Sequence, residues 1–192
     1  MPTDAALALV IIDVQAGFDD PAWGPTTNPG CEANVARLAA AWAAAGAPIV
    51  VVRHDSTSPA SPLHPSSPGN AVKAEALVAE PAAIIAKSVN SAFYGEPALE
   101  PWLRDRGIAS VVLCGIQTNM CVETTARMAG NLGFDVTVAL DATRTFDLET
   151  EMPDGAVERR TAAELMATAA VNLAGGGFAA VVSTDAAIDL LA

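Results

Sequence analysis

Apolar runs rich in β-branched residues alternate along the chain with alanine-rich stretches of helical length. The runs predict six strands, at residues 7–13, 48–53, 83–87, 110–115, 135–140 and 178–183. The stretches predict four helices, at residues 32–45, 96–106, 121–132 and 161–173, with Gly46, Gly107, Gly133 and the run 175–177 as stops. Because the strands are apolar on both faces, they predict a parallel sheet covered by helices on both sides, which is an α/β fold.

Composition bounds the fold and its partners. The chain has 192 residues, 52% of them hydrophobic, and a net charge of −12. This length favours one domain, residues 1–192. The acidic balance and the absence of a basic cluster argue against nucleic acid and against an anionic membrane surface as partners.

Membrane insertion and export are not expected either. The longest uncharged apolar stretch, residues 38–52, is broken by Gly46 and Pro48 and is too short to span a bilayer. The start of the chain, Met1 to Asp4, lacks the basic residues of a secretory signal, which predicts a cytoplasmic location. Three cysteines are an odd number in a chain of this size, so free thiols are expected.

Three chemically reactive side chains lie at predicted strand ends or just after one, on the edge where open parallel sheets bind ligands. Asp13 ends the first strand and Lys87 ends the third, although an aspartate there can simply cap a turn and a lysine can extend into solvent. Cys121 begins the helix after the fourth strand, where a helix N-terminus favours a thiolate and offers N–H groups to an oxyanion. Cys114, inside a strand, is a core residue, and Cys31 opens a helix without an activating base.

Longer motifs around these residues resemble the isochorismatase-like cysteine hydrolases, a superfamily that includes nicotinamidases and N-carbamoylsarcosine amidohydrolases. The matching segments cover essentially the whole chain and are LVIIDVQAGF at 9–18, KSVNSAFYG at 87–95, GIQTNMCVETTAR at 115–127, LGFDV at 132–136 and DAT at 141–143. The resemblance implies a Rossmann-like, three-layer α/β/α fold with six parallel strands in the order 3-2-1-4-5-6. It also implies an Asp-Lys-Cys triad at Asp13, Lys87 and Cys121, a cis peptide between Ile116 and Gln117, and a homodimer or larger homo-oligomer.

The chemistry of these residue types is consistent with that triad. Asp13 takes the thiol proton, Lys87 favours the charged forms, and Cys121 attacks an amide, carbamoyl or lactam carbonyl to give a thioester that water hydrolyses. Backbone N–H groups near Gln117 and Cys121 are the candidate oxyanion hole. A small-molecule C–N hydrolase is therefore the main hypothesis. The alternatives are an isochorismatase-type vinyl ether hydrolase, although such enzymes generally lack the cysteine, and a non-catalytic homo-oligomeric scaffold of the same fold.

Residues around the triad are candidates for a substrate pocket or for ordinary core. They are Phe18, Trp23, His54, Phe93, Tyr94 and Asn119, with Arg53 and Arg127 as possible partners of a substrate carboxylate. The proline-rich segment 56–70 is expected to be a loop near the site.

No cofactor or metal is expected. No glycine motif for a dinucleotide or a phosphate follows a strand. Nicotinamidases carry an Asp-x-His and further histidines that bind a metal, whereas this chain has only His54, in the sequence Arg53-His54-Asp55, and His64. A zinc site at these two histidines stays open as the weaker interpretation, because the ligand number and spacing are poor.

Overall fold

The computed structural model, which describes residues 6–192, contains a six-stranded parallel sheet. Its strands are β1 (Ala6–Ile12), β2 (Ile49–His54), β3 (Ala83–Lys87), β4 (Ile108–Ile116), β5 (Asp135–Arg144) and β8 (Ala180–Val182). Two further strands, β6 (Leu148–Glu151) and β7 (Val157–Arg160), form a separate antiparallel hairpin. The sheet order is β3-β2-β1-β4-β5-β8, which confirms the order expected for the six sheet strands.

Helices cover both faces of the sheet. They are α1 (Cys31–Ala45), α2 (Leu99–Arg104), α3 (Glu123–Asn131), α4 (Ala162–Gly175) and α5 (Thr184–Ile188). Successive residues of β1 point to opposite faces, so Val10 lies in the core shared with α2, α3 and α4, whereas Ile11 lies in the core shared with α1 and α5. This double burial explains why the strands read as continuous apolar runs and confirms the three-layer α/β/α prediction.

The element boundaries differ from the sequence predictions where local chemistry intervenes. The helix predicted at 96–106 is only α2, because Glu96 forms a β-bridge with Ala86 and the backbone is still extended at Ala98. The helix predicted at 161–173 begins one residue later, where Thr161 and Glu164 form a reciprocal capping box, and it runs on to Gly175. The prediction missed the hairpin of β6 and β7, whose residues are all exposed and so lack an apolar pattern.

Three further expectations concern a membrane span, the start of the chain and the cysteines. Within residues 6–192, none of the helices combines the length and the apolar character needed to cross a bilayer. The acidic start from Met1 to Asp4 lies outside the described residues. The three cysteines are free, as expected, and all three are buried.

Candidate active site

The carboxyl ends of β1, β3 and the segment after β4 converge on one edge of the sheet. Asp13 follows β1 directly, Lys87 is the last residue of β3, and Cys121 lies in the turn after β4. The central position of β1, paired with β2 on one side and β4 on the other, brings these ends together. The strand order therefore places a carboxylate, an ammonium and a thiol side by side.

Lys87 is the centre of this group. Its Nζ lies 2.5 Å from Asp13 Oδ2, 3.1 Å from His54 Nδ1 and 3.4 Å from Cys121 Sγ. The side chains of Lys87 and Asp13 are both 0% exposed. Since a lysine ammonium carries three N–H donors and no acceptor, these three contacts use its whole hydrogen-bonding capacity.

The backbone turns sharply at Asp13, which directs the carboxylate to this edge. Asp13 has a φ of 53°, in the left-handed region that aspartate tolerates better than most residues. Oδ2 bonds to Lys87, whereas Oδ1 is buried and has no hydrogen-bond partner within residues 6–192. Burial raises the pKa of Asp13, although the positive charge of Lys87 opposes that rise. The second carboxylate oxygen is thus an open acceptor for a proton.

Cys121 lies in a π-helical turn, Thr118–Val122, and not in the first turn of an α-helix, since α3 begins only at Glu123. Its side chain is buried, with 8% of the residue exposed. Burial, and after it the negative charge of Asp13, raise the pKa of the thiol to about 12. The thiolate that a helix N-terminus would favour is therefore opposed here by burial and by Asp13, which together favour the neutral thiol.

The turn between β4 and Cys121 is held tightly. The Ile116–Gln117 peptide bond is cis, the geometry implied by the sequence resemblance. Thr118 Oγ1 donates to Thr143 Oγ1 at 2.8 Å, which ties the turn to β5. At Gly115 a Cβ atom would lie 2.0 Å from the carbonyl oxygen of Ile12, so only glycine allows β4 to approach β1 this closely.

Comparisons with known proteins agree on one family. The family model of the isochorismatase domain matches residues 7–186. The chain belongs to the isochorismatase family. It is 40% identical over 141 residues to the isochorismatase family protein YrdC of Bacillus subtilis, covering 73% of this chain and 75% of that protein. It is 30% identical over 161 residues to Nicotinamidase 3 of Arabidopsis thaliana, covering 77% and 78%.

A solved structure supports the same assignment. The crystal structure of a hydrolase of the isochorismatase family from Chromobacterium violaceum superposes with a TM-score of 0.86 at 39% identity, over 100% of this chain and 95% of that chain. The α/β architecture described above is therefore the isochorismatase fold.

The site of this family member also contains three groups that could act as metal ligands. Asp13, His54 and Cys121 offer ligand atoms that lie within 4.8 Å of one another. However, Lys87 Nζ contacts all three side chains, so a positive charge already sits where a metal ion would have to bind. His64 does not join the cluster and its Nδ1 lies 2.7 Å from Ser66 Oγ. We therefore interpret these three side chains as the hydrogen-bond partners of the Lys87 ammonium.

The predicted pocket residues separate into different environments. His54 contacts the triad. Phe18 is buried and stacks in a cluster with Trp23 and Phe146, and the Trp23 Nε1–H donates to the Gly17 carbonyl at 2.8 Å. Phe93 is partly buried and packs against the core near Phe134, with ring centroids 5.9 Å apart, so it contributes to packing.

The remaining polar and exposed candidates form no hydrogen bond with the three reactive groups in the described part of the chain. Tyr94 is 70% exposed, and Asn119 Oδ1 accepts a hydrogen bond from Thr145. Arg53 forms a two-bond ion pair with Asp55, and Arg127 pairs with Glu123, one turn earlier on the same helix. Both arginines already have protein carboxylates as partners.

Sequence reasoning assigned no role to three residues that shape the site. Gln15 is fully buried and bonds to both the N–H and the carbonyl of His54, at 2.8 and 3.1 Å. Asn70, 7% exposed, bonds to the carbonyls of His54 and Leu63. Asn90 Oδ1 lies 4.0 Å from Cys121 Sγ. Gln15 and Asn90 fall inside the quoted motifs, which was the signal available for them.

Asn70 and Gln15 also fix the proline-rich segment. Residues 56–70 begin two positions after β2 and end at Asn70, whose carbonyl accepts a hydrogen bond from Gln15 Nε2 at 2.9 Å. Gly69 packs against Gly17 so closely that a Cβ at Gly69 would lie 2.8 Å from Gly17 Cα. The segment lies near the site as predicted, and its end at Asn70 is fastened to the sheet edge.

Proposed function

We propose that this isochorismatase-family protein is a cysteine amidohydrolase that cleaves a C–N bond of a small molecule, an amide, carbamoyl or lactam bond. The observation that carries the proposal is the placement of Lys87 Nζ between the buried Asp13 carboxylate and the Cys121 thiol. A structural ion pair would not require a thiol at its third corner, whereas thiol catalysis requires a base and a positive charge beside the sulfur.

The first chemical step uses the open oxygen of Asp13. As Cys121 Sγ attacks the carbonyl carbon, its proton moves to Asp13 Oδ1, and the carbonyl π electrons move onto oxygen to give a tetrahedral intermediate. Burial raises the pKa of Asp13, which makes it a stronger base than an exposed aspartate. Because burial favours the neutral thiol, the thiolate forms only as its proton passes to Asp13 at the moment of attack.

The later steps return every group to its starting state. The intermediate collapses to a thioester as the C–N bond breaks, and Asp13 gives its proton to the leaving nitrogen, which departs as ammonia or an amine or, for a lactam, stays on the opened chain as an amine. Water then attacks the thioester and passes a proton to Asp13, which returns it to the sulfur as the acid product leaves. We place the oxyanion at backbone N–H groups near Gln117 and Cys121, beside the cis peptide bond.

The family relationship supports C–N chemistry. Nicotinamidase 3 is, by its name, an amidase, and it aligns over 77% of this chain. The thiol favours this reaction over vinyl ether cleavage, since isochorismatases proper generally lack the cysteine. We keep the homo-oligomer and the cytoplasmic location as predictions that accompany this proposal.

Turnover of a panel of amides, N-carbamoyl compounds and lactams tests the proposal. We expect ammonia or amine release by the wild type and loss of at least about 10³-fold in kcat for Cys121→Ala, since a nucleophile cannot be replaced by its surroundings. Cys31→Ala is the matched control, because Cys31 is a buried thiol in the opposite core and the substitution should leave turnover intact. Undiminished hydrolysis by a correctly folded Cys121→Ala variant would exclude the mechanism, and a wild type inactive on the whole panel would favour the scaffold or vinyl ether alternatives.

A further inference from the structure

The ring of His54 lies beside the ammonium of Lys87. His54 is the last residue of β2 and is in register with Lys87 on β3. Its main chain is clamped from both sides by Gln15, which accepts from the His54 N–H and donates to the His54 carbonyl. The imidazole is therefore held on a rigid strand end, next to the proposed catalytic groups.

The contact with Lys87 determines which ring nitrogen carries the proton. An ammonium can only donate, so His54 Nδ1, 3.1 Å from Lys87 Nζ, must be an unprotonated acceptor. Burial, and after it the positive charge of Lys87, lower the pKa of His54, whereas Asp13 and Asp55 oppose this more weakly. A neutral imidazole carries one proton, and here that proton is at Nε2.

Nε2 is free to meet a ligand. Nε2 makes no hydrogen bond with any residue in the described part of the chain. The fully buried side-chain atoms that lack a partner there are Asp13 Oδ1 and Trp42 Nε1, and Nε2 is not one of them, so it is not fully buried. His54 as a whole is partly exposed. Because the two ring nitrogens face different directions, a ring with Nδ1 turned onto Lys87 presents Nε2–H away from it.

His54 also supplies a hydrogen-bond donor that Lys87 cannot. Lys87 uses its three N–H groups on Asp13, His54 and Cys121, so it has none left for a substrate. Hydrogen bonding to a cation polarises the imidazole and strengthens Nε2–H as a donor. His54 is thus the group through which the buried positive charge can act on a bound molecule.

We propose that His54 Nε2–H is a substrate-binding donor, and that the substrate carries a second hydrogen-bond acceptor besides the scissile carbonyl. That acceptor is a carbonyl or carboxylate oxygen or an unprotonated ring nitrogen, each of which accepts a hydrogen bond without donating one. The amide part of this substrate class rests on the proposed function, whereas the tautomer and the donor role of His54 do not.

Nitrogen NMR of the imidazoles tests the tautomer without any turnover. In uniformly ¹⁵N-labelled wild type at pH 7, we expect His54 to be neutral, with its proton on Nε2 and a bare Nδ1. His64→Gln removes the one other histidine and assigns the signals. A proton on Nδ1, or a doubly protonated ring at pH 7, overturns the proposal.

Ligand binding to Cys121→Ala tests the donor role in the absence of hydrolysis. The probes are two pairs that differ by an acceptor, nicotinamide against benzamide and succinamate against butyramide. We expect the acceptor-bearing member of at least one pair to shift the His54 Nε2 signal and to bind about tenfold more tightly, the upper range for one hydrogen bond. Equal binding within both pairs, or no shift of that signal by any probe, overturns the substrate class.

Two variants separate substrate binding from simple support of Lys87. His54→Asn offers an acceptor near the position of Nδ1, and His54→Gln offers a donor near that of Nε2. We expect His54→Gln to keep the preference for the acceptor-bearing probe and His54→Asn to lose it, whereas the reverse result means that His54 only positions Lys87. If these binding results hold and no amide is hydrolysed by the wild type, then the proposed function fails and the His54 proposal stands.

Discussion

Replacing Lys87 by methionine removes a buried charge while keeping a side chain of similar length. Asp13 is then left fully buried with its ion-pair partner gone. A buried unpaired carboxylate is too costly to persist, so we expect Asp13 to take up a proton in the folded variant. The stability of the variant then depends on the cost of that proton.

The cost follows from the ordinary pKa of aspartate. A carboxyl whose pKa is about 3.9 in the unfolded chain costs about 1.36 kcal/mol to keep protonated for each pH unit above that value. The cost is roughly 4 kcal/mol at pH 7, about 3 units above the pKa, and only about 1.5 kcal/mol at pH 5. The pKa of Asp13 in the folded variant is raised above its value in the unfolded chain, because the folded variant holds a proton that the unfolded chain releases. Stability is therefore lost as the pH rises. The stability of Lys87→Met relative to wild type should therefore decrease by up to about 2.7 kcal/mol between pH 5 and pH 7.

Urea unfolding at both pH values measures this difference. The double variant Asp13→Asn, Lys87→Met should lose the pH dependence, because no ionisable group remains in the pair. Lys73→Met is a second control, since Lys73 pairs with Asp19, which is largely exposed, and with Glu32, which Arg144 also holds. Its loss should stay near 1 kcal/mol or below at both pH values, as for other partly exposed ion pairs. A pH-independent loss for Lys87→Met would refute the assignment of Asp13 as the ionised partner of Lys87.

Three further outcomes test other parts of the site. Because the pKa of the Cys121 thiol is raised to about 12, its alkylation by iodoacetamide should accelerate about tenfold per pH unit from pH 7 to 10. Mass spectrometry should find the other two cysteines unmodified. A rate that reaches a plateau near pH 8.5 would contradict the raised pKa of the thiol. Gly115→Ala should lose about 3 kcal/mol or more by urea unfolding because its Cβ meets the Ile12 carbonyl, and wild-type stability would show that the strands can separate there. Asn70→Ala should expose segment 56–70 to limited proteolysis by removing bonds to His54 and Leu63, whereas unchanged cleavage would mean that packing alone holds the segment.

The fold could be predicted from the sequence because its strands are buried on both faces. Apolar runs such as 48–53, which are rich in valine, favour the interior of a parallel sheet, and the helix layers follow from their alternation with alanine-rich stretches. The hairpin of β6 and β7 escaped prediction because all its strand residues are exposed and only Leu148 and Val157 among them are apolar. Its pairing depends on backbone hydrogen bonds, which leave no hydrophobic pattern.

The reactive groups of the site could be located, but their energetics could not. Asp13, Lys87 and Cys121 follow strands, so a parallel sheet must bring them to one edge. The direction of the Cys121 pKa shift was missed because it depends on burial and on the distance to Asp13, neither of which is local in sequence. The contact between His54 and Lys87 likewise comes from the register of β2 with β3, which no motif records.

The side chains around the Lys87 ammonium also determine how charge is redistributed during the proposed first step. With a neutral thiol, the carboxylate and the ammonium cancel; with the proton moved from Cys121 to Asp13, the thiolate and the same ammonium cancel. The negative charge travels from one neighbour of Lys87 Nζ to another, and the enclosed site as a whole stays neutral. A low-dielectric interior can accommodate such an internal transfer with little reorganisation, whereas it would strongly resist the arrival of a net charge. Burial of the triad, which suppresses the thiolate at rest, is thus compatible with forming it at the moment of attack.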